Sequence, residues 1–357
     1  MASKITHRIS IQTGIPDLFA ALTDEIPPSD LQSLMMDVYR ARADDAQPSN
    51  LLARTRSNAL LKPSAVDARM FTAFDRVAFE SAADFDAIDL SPVCVLGAHH
   101  GLGLTSQNNI LSTIRNSEVL GDPTVALALE AALRRKTYVG EIRLCASHRV
   151  VRLQPFDVEG FSPHFRLFVL VTAGRDTGSF QFEMQHLQEH LAFYLQLFRG
   201  LGSQGFAFPD PLVEISDMSA IGAALSAAGV APAEVRELIR AHNLGGSEKF
   251  LQARLIALSE DIHDPRVLSQ IREEVFEPLR TRFPEADFRM NPARLEGLGY
   301  YSGFIFRVSA RADDGSYYPL IDGGMTDWTA RLLSNRKERL LISGIGTEFA
   351  CKRYRAA

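Results

Sequence analysis

Arg294-Leu295-Glu296-Gly297-Leu298-Gly299-Tyr300-Tyr301-Ser302-Gly303-Phe304-Ile305-Phe306 is a glycine-punctuated turn that runs into an apolar, aromatic strand. The pattern predicts that this strand ends near Val308. Two adjacent tyrosines between glycines are an unusual entry to a buried strand. Gly297, Gly299 and Gly303 let the backbone approach a neighbour or a ligand closely, and each tyrosine offers an apolar body with a polar tip. Taken alone, the run reads as a well-packed strand with a tight entry. A second glycine-rich stretch, Ile321-Asp322-Gly323-Gly324-Met325-Thr326-Asp327, follows at a hairpin's distance.

Around this pair the C-terminal part predicts strands over Asp287–Met290, Phe304–Val308, Tyr317–Ile321 and Leu340–Ser343. Gly344-Ile345-Gly346-Thr347-Glu348 then opens a short last helix. Upstream, Val213–Ser216 is a strand leading into a helical block from Met218 to about Pro284. Its best helices are Pro232 to Ala241 and Asp264 to Arg282. Asp264 is placed as a cap and Pro265 at the first helical position, while Pro278 should kink the second helix or mark its division. Two hairpin-like strands, Ile142–Leu153 and His164–Ala173, flank a polar loop. They carry His148, Arg149, Arg152 and Arg166. Asp122 caps a helix from Val125 to Arg135, with Pro123 at its first position. A helix is predicted near Ala65–Ala83, a buried strand over Leu90–Leu96 with Pro92 at its start, and an amphipathic helix over Phe180–Phe198. Residues 1 to about 60 carry short helical patterns and form an arm of unclear role. Antiparallel hairpins instead of β-α-β units favour an α+β fold.

Composition bounds the function. The chain has 357 residues, 46% of them hydrophobic, and a formal net charge of −5 from 38 basic and 43 acidic residues. That balance leaves no electrostatic footprint for nucleic acid or an anionic membrane. Cys94, Cys145 and Cys351 are dispersed and odd in number, as in a reducing compartment. No signal-peptide core or membrane-spanning window is visible, so a soluble, cytoplasmic protein is expected. There is no phosphate loop, no nucleophile elbow and no dinucleotide fingerprint. His99-His100 reads as a solvated loop. His186-Leu187-Gln188-Glu189-His190 matches the H-x-x-E-H spacing of some zinc proteases but reads as a wet helix face without a third ligand. No metal or cofactor is expected.

Taken in order, these pieces resemble the catalytic core of histidyl-tRNA synthetase and its paralogue, the regulatory subunit of ATP phosphoribosyltransferase. Leu298-Gly299-Tyr300-Tyr301-Ser302-Gly303 looks like the family's histidine-recognising Tyr-Tyr-Thr-Gly motif. Gly323-Gly324-Met325-Thr326-Asp327 resembles its Gly-Gly-Arg-Tyr-Asp. Asp122-Pro123-Thr124 resembles the segment that holds the amino group of bound histidine. His148-Arg149-Val150-Val151-Arg152 with Phe165–Phe168 looks like the class II motif 2 hairpin. The resemblance implies an antiparallel sheet flanked by helices. Residues 61–216 and 285–357 would form the core, and 217–284 a helical insertion. It also implies a homodimer, and a ligand site for histidine or another amino acid made by Asp122, Thr124, Arg149, Tyr300, Tyr301, Gly323 and Gly324.

The departures shape the functional expectation. Glu296 stands where the family carries its catalytic arginine, and a carboxylate there repels the phosphate on which negative charge gathers. Val151 replaces the adenine-side glutamate, and Phe349 stands where an ATP-binding arginine belongs. The chain end at Ala357 leaves no room for the family's anticodon-binding domain, so no tRNA partner is expected. With the catalytic residues gone, the resemblance implies a regulatory subunit. It would bind a catalytic ATP phosphoribosyltransferase subunit within a hetero-oligomer in histidine biosynthesis, and relay amino-acid feedback. The rivals are an orphan ligase that activates an amino acid for a non-tRNA acceptor, using Arg149, Arg152, Arg166 and Arg175, and a purely structural dimer.

Overall fold

The computed structural model describes residues 4–154, 162–231, 233–235, 246–254 and 256–355. Ten strands lie within them: β1 Asp86–Ala87, β2 Val93–Val95, β3 Ser117–Val119, β4 Ile142–Val151, β5 His164–Arg175, β6 Leu212–Asp217, β7 Asp287–Met290, β8 Phe304–Arg311, β9 Tyr317–Thr326 and β10 Glu338–Ile345. Eight of them form one sheet in the order β1-β4-β5-β10-β9-β8-β6-β7. The six inner strands pair antiparallel, and only the two edge strands, β1 and β7, run parallel to their neighbours. β2 and β3 make a separate antiparallel ribbon. This is the α+β architecture expected from the hairpins.

Both faces of the sheet are covered, which is why β5 reads as an almost unbroken apolar run. Successive side chains point to opposite faces. Phe168 and Leu170 of β5, Leu341 and Ile345 of β10, and Phe304, Phe306 and Val308 of β8 pack into one core. The helices Ala68–Ser81 and Gln181–Gly202 cover that side, through Phe71, Phe74, Leu187, Leu191 and Tyr194. Val169, Val171 and Ala173 of β5, with Leu340 and Ile342 of β10, face the other way. There they meet Val125, Leu127, Ala128 and Ala131 of the helix Pro123–Arg135, together with Trp328. A third cluster joins Met218, Ile221 and Leu225 to Leu295, Leu298 and Ile305, and so anchors the turn that opens β8.

Several elements differ from expectation. Leu90–Leu96 supplies only the three residues of β2, and Val93 and Val95 are exposed because the ribbon lies outside the main sheet. β9 runs past the expected end at Ile321, through Gly323-Gly324 to Thr326. Asp264 caps its helix by accepting from the Arg266 N–H at 2.9 Å, with Pro265 in the first turn as expected. Pro278 falls where the helix divides, as expected. The ladder widens to a π-helical stretch over Ile271–Phe276 and resumes over Glu277–Arg282, which accommodates the missing N–H. Pro232–Ala241 lies mostly outside the described residues. The N-terminal helices Lys4–Thr13, Pro28–Asp44 and Pro48–Ser57 bury no residue. Among the described residues, no helix is long and apolar enough to cross a membrane.

His186 and His190 are not on a wet face. Both are fully buried. His186 lies between Glu189 at 2.7 Å and Glu141 at 3.1 Å, and His190 bridges Thr172 at 2.9 Å and Ser343 at 2.8 Å. The two rings engage separate partners, so the H-x-x-E-H spacing serves packing. Burial, with the neighbouring His186 and Arg143, holds His190 well below its ordinary value. The unfolded chain therefore takes up a proton near the usual histidine value of about 6.5, while the folded chain refuses it. Stability on this account is complete above that pH and falls on acidification, by up to about 1.4 kcal/mol per pH unit. Urea unfolding at pH 7, 6 and 5 should show this loss, and His190→Gln should flatten the dependence.

Candidate functional site

The site grows from the entry to the helix Pro123–Arg135. Asp122 is extended, as an N-cap must be, and its Oδ1 accepts from the Thr124 N–H at 3.0 Å and the Thr124 hydroxyl at 2.7 Å. The other oxygen, Oδ2, accepts from the Tyr300 hydroxyl at 2.9 Å. Arg152, at the end of β4, donates from Nε to the Gly121 carbonyl at 2.7 Å and places Nη2 3.8 Å from Asp122 Oδ2. One carboxylate thus links the helix start, the β4 end and the tyrosine turn.

Behind it stands a buried pair. His99 lies in the helix Ala98–Gly103, contrary to the expected solvated loop, and only 1% of it is exposed. Its Nε2 accepts from the N–H groups of Gly121 at 3.0 Å and Asp122 at 3.1 Å. Nε2 must then be unprotonated, so Nδ1 carries the hydrogen and donates to Glu118 Oε1 at 2.6 Å. Glu118 also accepts from the His99 and Gly97 N–H groups and from Gln107. Burial pushes its carboxyl up, but these donors more than offset it and hold the group at about 2.

Cys94 brings a third potential ligand, with Sγ 3.9 Å from both His99 Nδ1 and Glu118 Oε1. The three donor atoms lie within 4.8 Å of one another. Glu118 and His99 are already engaged with each other and with the Gly97, Gly121 and Asp122 N–H groups, and burial with the Glu118 charge pushes the Cys94 thiol up to about 12. The cluster is better described as an orienting relay for the Gly121-Asp122 backbone.

Tyr300 packs edge-on against Tyr301 at 4.8 Å and Trp328 at 5.3 Å. Burial, with the Asp122 charge beside Tyr300 and the Asp322 charge beside Tyr301, pushes both phenols well above their usual value, so each stays a hydrogen-bond donor. Their close seating requires two glycines. A Cβ at Gly297, which has φ of 100°, would lie 2.8 Å from Tyr301 Cδ2. One at Gly324 would lie 2.8 Å from Cδ1, 2.6 Å from Ile305 Cγ2 and 2.9 Å from the Phe304 carbonyl oxygen.

These groups wall a cavity of about 600 Å³ over β5, β10, β9 and β8. Of the residues expected to bind a ligand, Asp122, Thr124, Tyr300 and Tyr301 line it. Gly323 and Gly324 do not; they permit close packing, the latter directly behind Tyr301. Arg149 does not line it either. Its Nη1 is held by Glu348 at 2.9 Å and His164 at 2.9 Å, and its guanidinium lies over the Phe71 ring. Arg152, three residues on, is the cation that β4 delivers to the cavity. His99 and Arg307 also line it and were not singled out from sequence as binding residues. A larger cavity of about 820 Å³ between Phe304, Thr326 and Arg339 holds none of the expected site residues.

No family model matches the sequence, and no curated protein does. Solved structures match well. An ATP phosphoribosyltransferase regulatory subunit/histidyl-tRNA synthetase from Bacillus halodurans C aligns over 82% of this chain and 82% of its own, with TM-score 0.58 and 14% identity. A histidine–tRNA ligase subunit from Alicyclobacillus acidocaldarius aligns over 81% of this chain and 95% of its own, with TM-score 0.55 and 15% identity. Histidyl-tRNA synthetase from Nostoc sp. PCC 7120 aligns over 82% and 73%, with TM-score 0.56 and 17% identity. The fold is the class II fold of the histidyl-tRNA synthetases. At these identities the likeness carries the architecture, and the functional case rests on the side chains within that histidyl-tRNA synthetase-like frame.

Two substitutions probe the support of the site. Gly324→Ala should destabilise the protein by about 1–3 kcal/mol through overpacking against backbone and Tyr301. Glu118→Gln should remove about 1–3 kcal/mol by weakening buried, charge-assisted hydrogen bonds. Urea denaturation midpoints measure both.

Proposed function

We propose that this protein binds an amino acid in the Asp122–Tyr300 cavity without activating it, and serves as a regulatory subunit of ATP phosphoribosyltransferase. The observation that carries the ligand class is the Asp122 carboxylate. It is anchored by Tyr300 and Thr124 at a cavity wall, with Arg152 at 3.8 Å, and its oxygens can accept from an ammonium group as well. Three sequence departures support the non-catalytic half: Glu296, Val151 and Phe349 stand where the resembling family places nucleotide-binding groups. The engagement of Arg149 by Glu348 and His164 points the same way. The regulatory partner is suggested by the name of the Bacillus halodurans neighbour. A homodimer formed through the class II core belongs to the same proposal.

A ligase that activates an amino acid is the second reading. It is favoured by Arg152 and Arg307 lining one cavity, where a phosphate would find positive charge.

Titration calorimetry with the twenty amino acids, histidine first, tests the ligand class. Asp122→Asn should weaken any binding at least about tenfold, because a charged hydrogen-bond partner is lost. Amino-acid-dependent exchange of pyrophosphate into ATP would overturn the regulatory reading in favour of the ligase. Mixing with a catalytic ATP phosphoribosyltransferase subunit should give a complex on size exclusion and an amino-acid-dependent change in its rate. Absence of both removes that partner.

A further inference from the structure

Residues directly opposed on neighbouring strands share a sheet face. Glu214 of β6, Arg307 of β8, Asp322 of β9, Gly344 of β10 and Val169 of β5 therefore form one row. Four of them, Arg307 to Val169, line the cavity. A central sheet face covered elsewhere by apolar side chains here carries a guanidinium at one end of the ligand cavity.

The charge around Arg307 is unbalanced. Glu214 is taken by Arg289, through bonds of 3.0 and 2.8 Å, and by Asn291 at 3.0 Å. Asp322 is taken by Arg294. Three guanidiniums, Arg289, Arg294 and Arg307, thus meet two carboxylates. Among the described residues no ion pair involves Arg307, and its Nε is buried without a hydrogen-bond partner. Arg294 is 2% exposed, and its Nε and Nη1 also lack partners. Buried donors on a cation are expensive to leave unmatched. Arg152, which follows β4, is already engaged by the Gly121 carbonyl and Asp122.

Building on the amino-acid reading above, we propose that Arg307 is a specificity-determining residue, selecting an amino acid whose side chain ends in a carboxylate or phosphate group. The α-ammonium group meets Asp122 at one end, and the terminal acid meets the Arg307 guanidinium at the other. The cavity, of about 600 Å³, has room for such a ligand. Histidine fits this end poorly: a neutral imidazole leaves the guanidinium without a counter-ion, and an imidazolium repels it.

The test is calorimetry on the full chain with L-glutamate, L-aspartate, O-phospho-L-serine, L-glutamine, L-histidine and glutarate. Glutamate and glutamine have nearly the same shape, so the wild-type protein alone is decisive. At least one of the three acidic amino acids should bind tenfold or more tighter than glutamine and histidine, and the one that does identifies the terminal group. Arg307→Gln should abolish that preference, so that the favoured acidic amino acid and glutamine bind within about tenfold of each other. Arg307→Lys, which keeps the charge, should retain part of it if the glutamine variant misfolds. Equal or tighter binding of glutamine or histidine overturns the acid preference and leaves the amino-acid reading standing. Arg307-dependent binding of glutarate without binding of any amino acid keeps an acid pocket but overturns the amino-acid reading and the proposal built on it. No binding of any probe overturns both.

Discussion

The Asp122 carboxylate is the point on which the arrangement depends. Its two oxygens gather Thr124 and Tyr300, and its own N–H is held on His99, which Glu118 orients from behind. Residues near positions 99, 118, 122 and 300 are thereby tied into one hydrogen-bonded line. In a low-dielectric interior each of those bonds strengthens its neighbours, and each would be costly to leave unmade. The line fixes both the helix entry and the tyrosine turn. The two walls of the cavity therefore cannot move independently without exposing a buried polar group.

The sheet supplies the second constraint. Because both faces are buried, every central strand must present apolar residues in both directions. β5 and β10 obey this rule, through Phe168, Leu170 and Leu341 on one side and Val169, Val171 and Ile342 on the other. β8 and β9 depart from it at Arg307 and Asp322. Charged side chains in the middle of a sheet face are retained where water or a ligand can reach them, and the cavity lies over that place. The tight glycines have a related role. Gly297 and Gly324 are empty of side chains so that Tyr301 can lie against the backbone, which positions its hydroxyl-bearing neighbour Tyr300 against Asp122.

Much of the fold was legible in the sequence. The hairpin β4–β5, the strands β7, β8 and β10, the Asp122 and Asp264 caps and the Pro123 and Pro265 helix starts follow from alternation and capping chemistry that act within a few residues. Of the site, Asp122, Thr124, Tyr300 and Tyr301 could be placed by motif. The histidines were misjudged for a common reason. A His beside Gly, or in a Gln/Glu-rich helix, has the composition of a solvated segment. Yet His99, His186 and His190 are buried because partners 15 or more residues away satisfy them, namely Glu118, Glu141, Thr172 and Ser343. Arg149 lies in β4 and Arg152 just past it, where its N–H still bonds the Pro163 carbonyl; an odd number of positions separates them, so the pleat sends them to opposite faces. Local sequence gives no sign of which face holds the cavity.

The sequence by itself determined the element types, the α+β class and the order of motifs that a histidyl-tRNA synthetase-like fold requires. Those properties rest on backbone propensity, side-chain periodicity and turn chemistry, which are short-range. Only the tertiary structure decided which polar groups share a cavity. It brought Glu118 and His99 behind Asp122, turned Arg149 toward Glu348, and left Arg307 in the floor with an unmatched guanidinium. Those outcomes depend on strand register and helix docking, and a one-residue shift in either would have faced each of these side chains elsewhere.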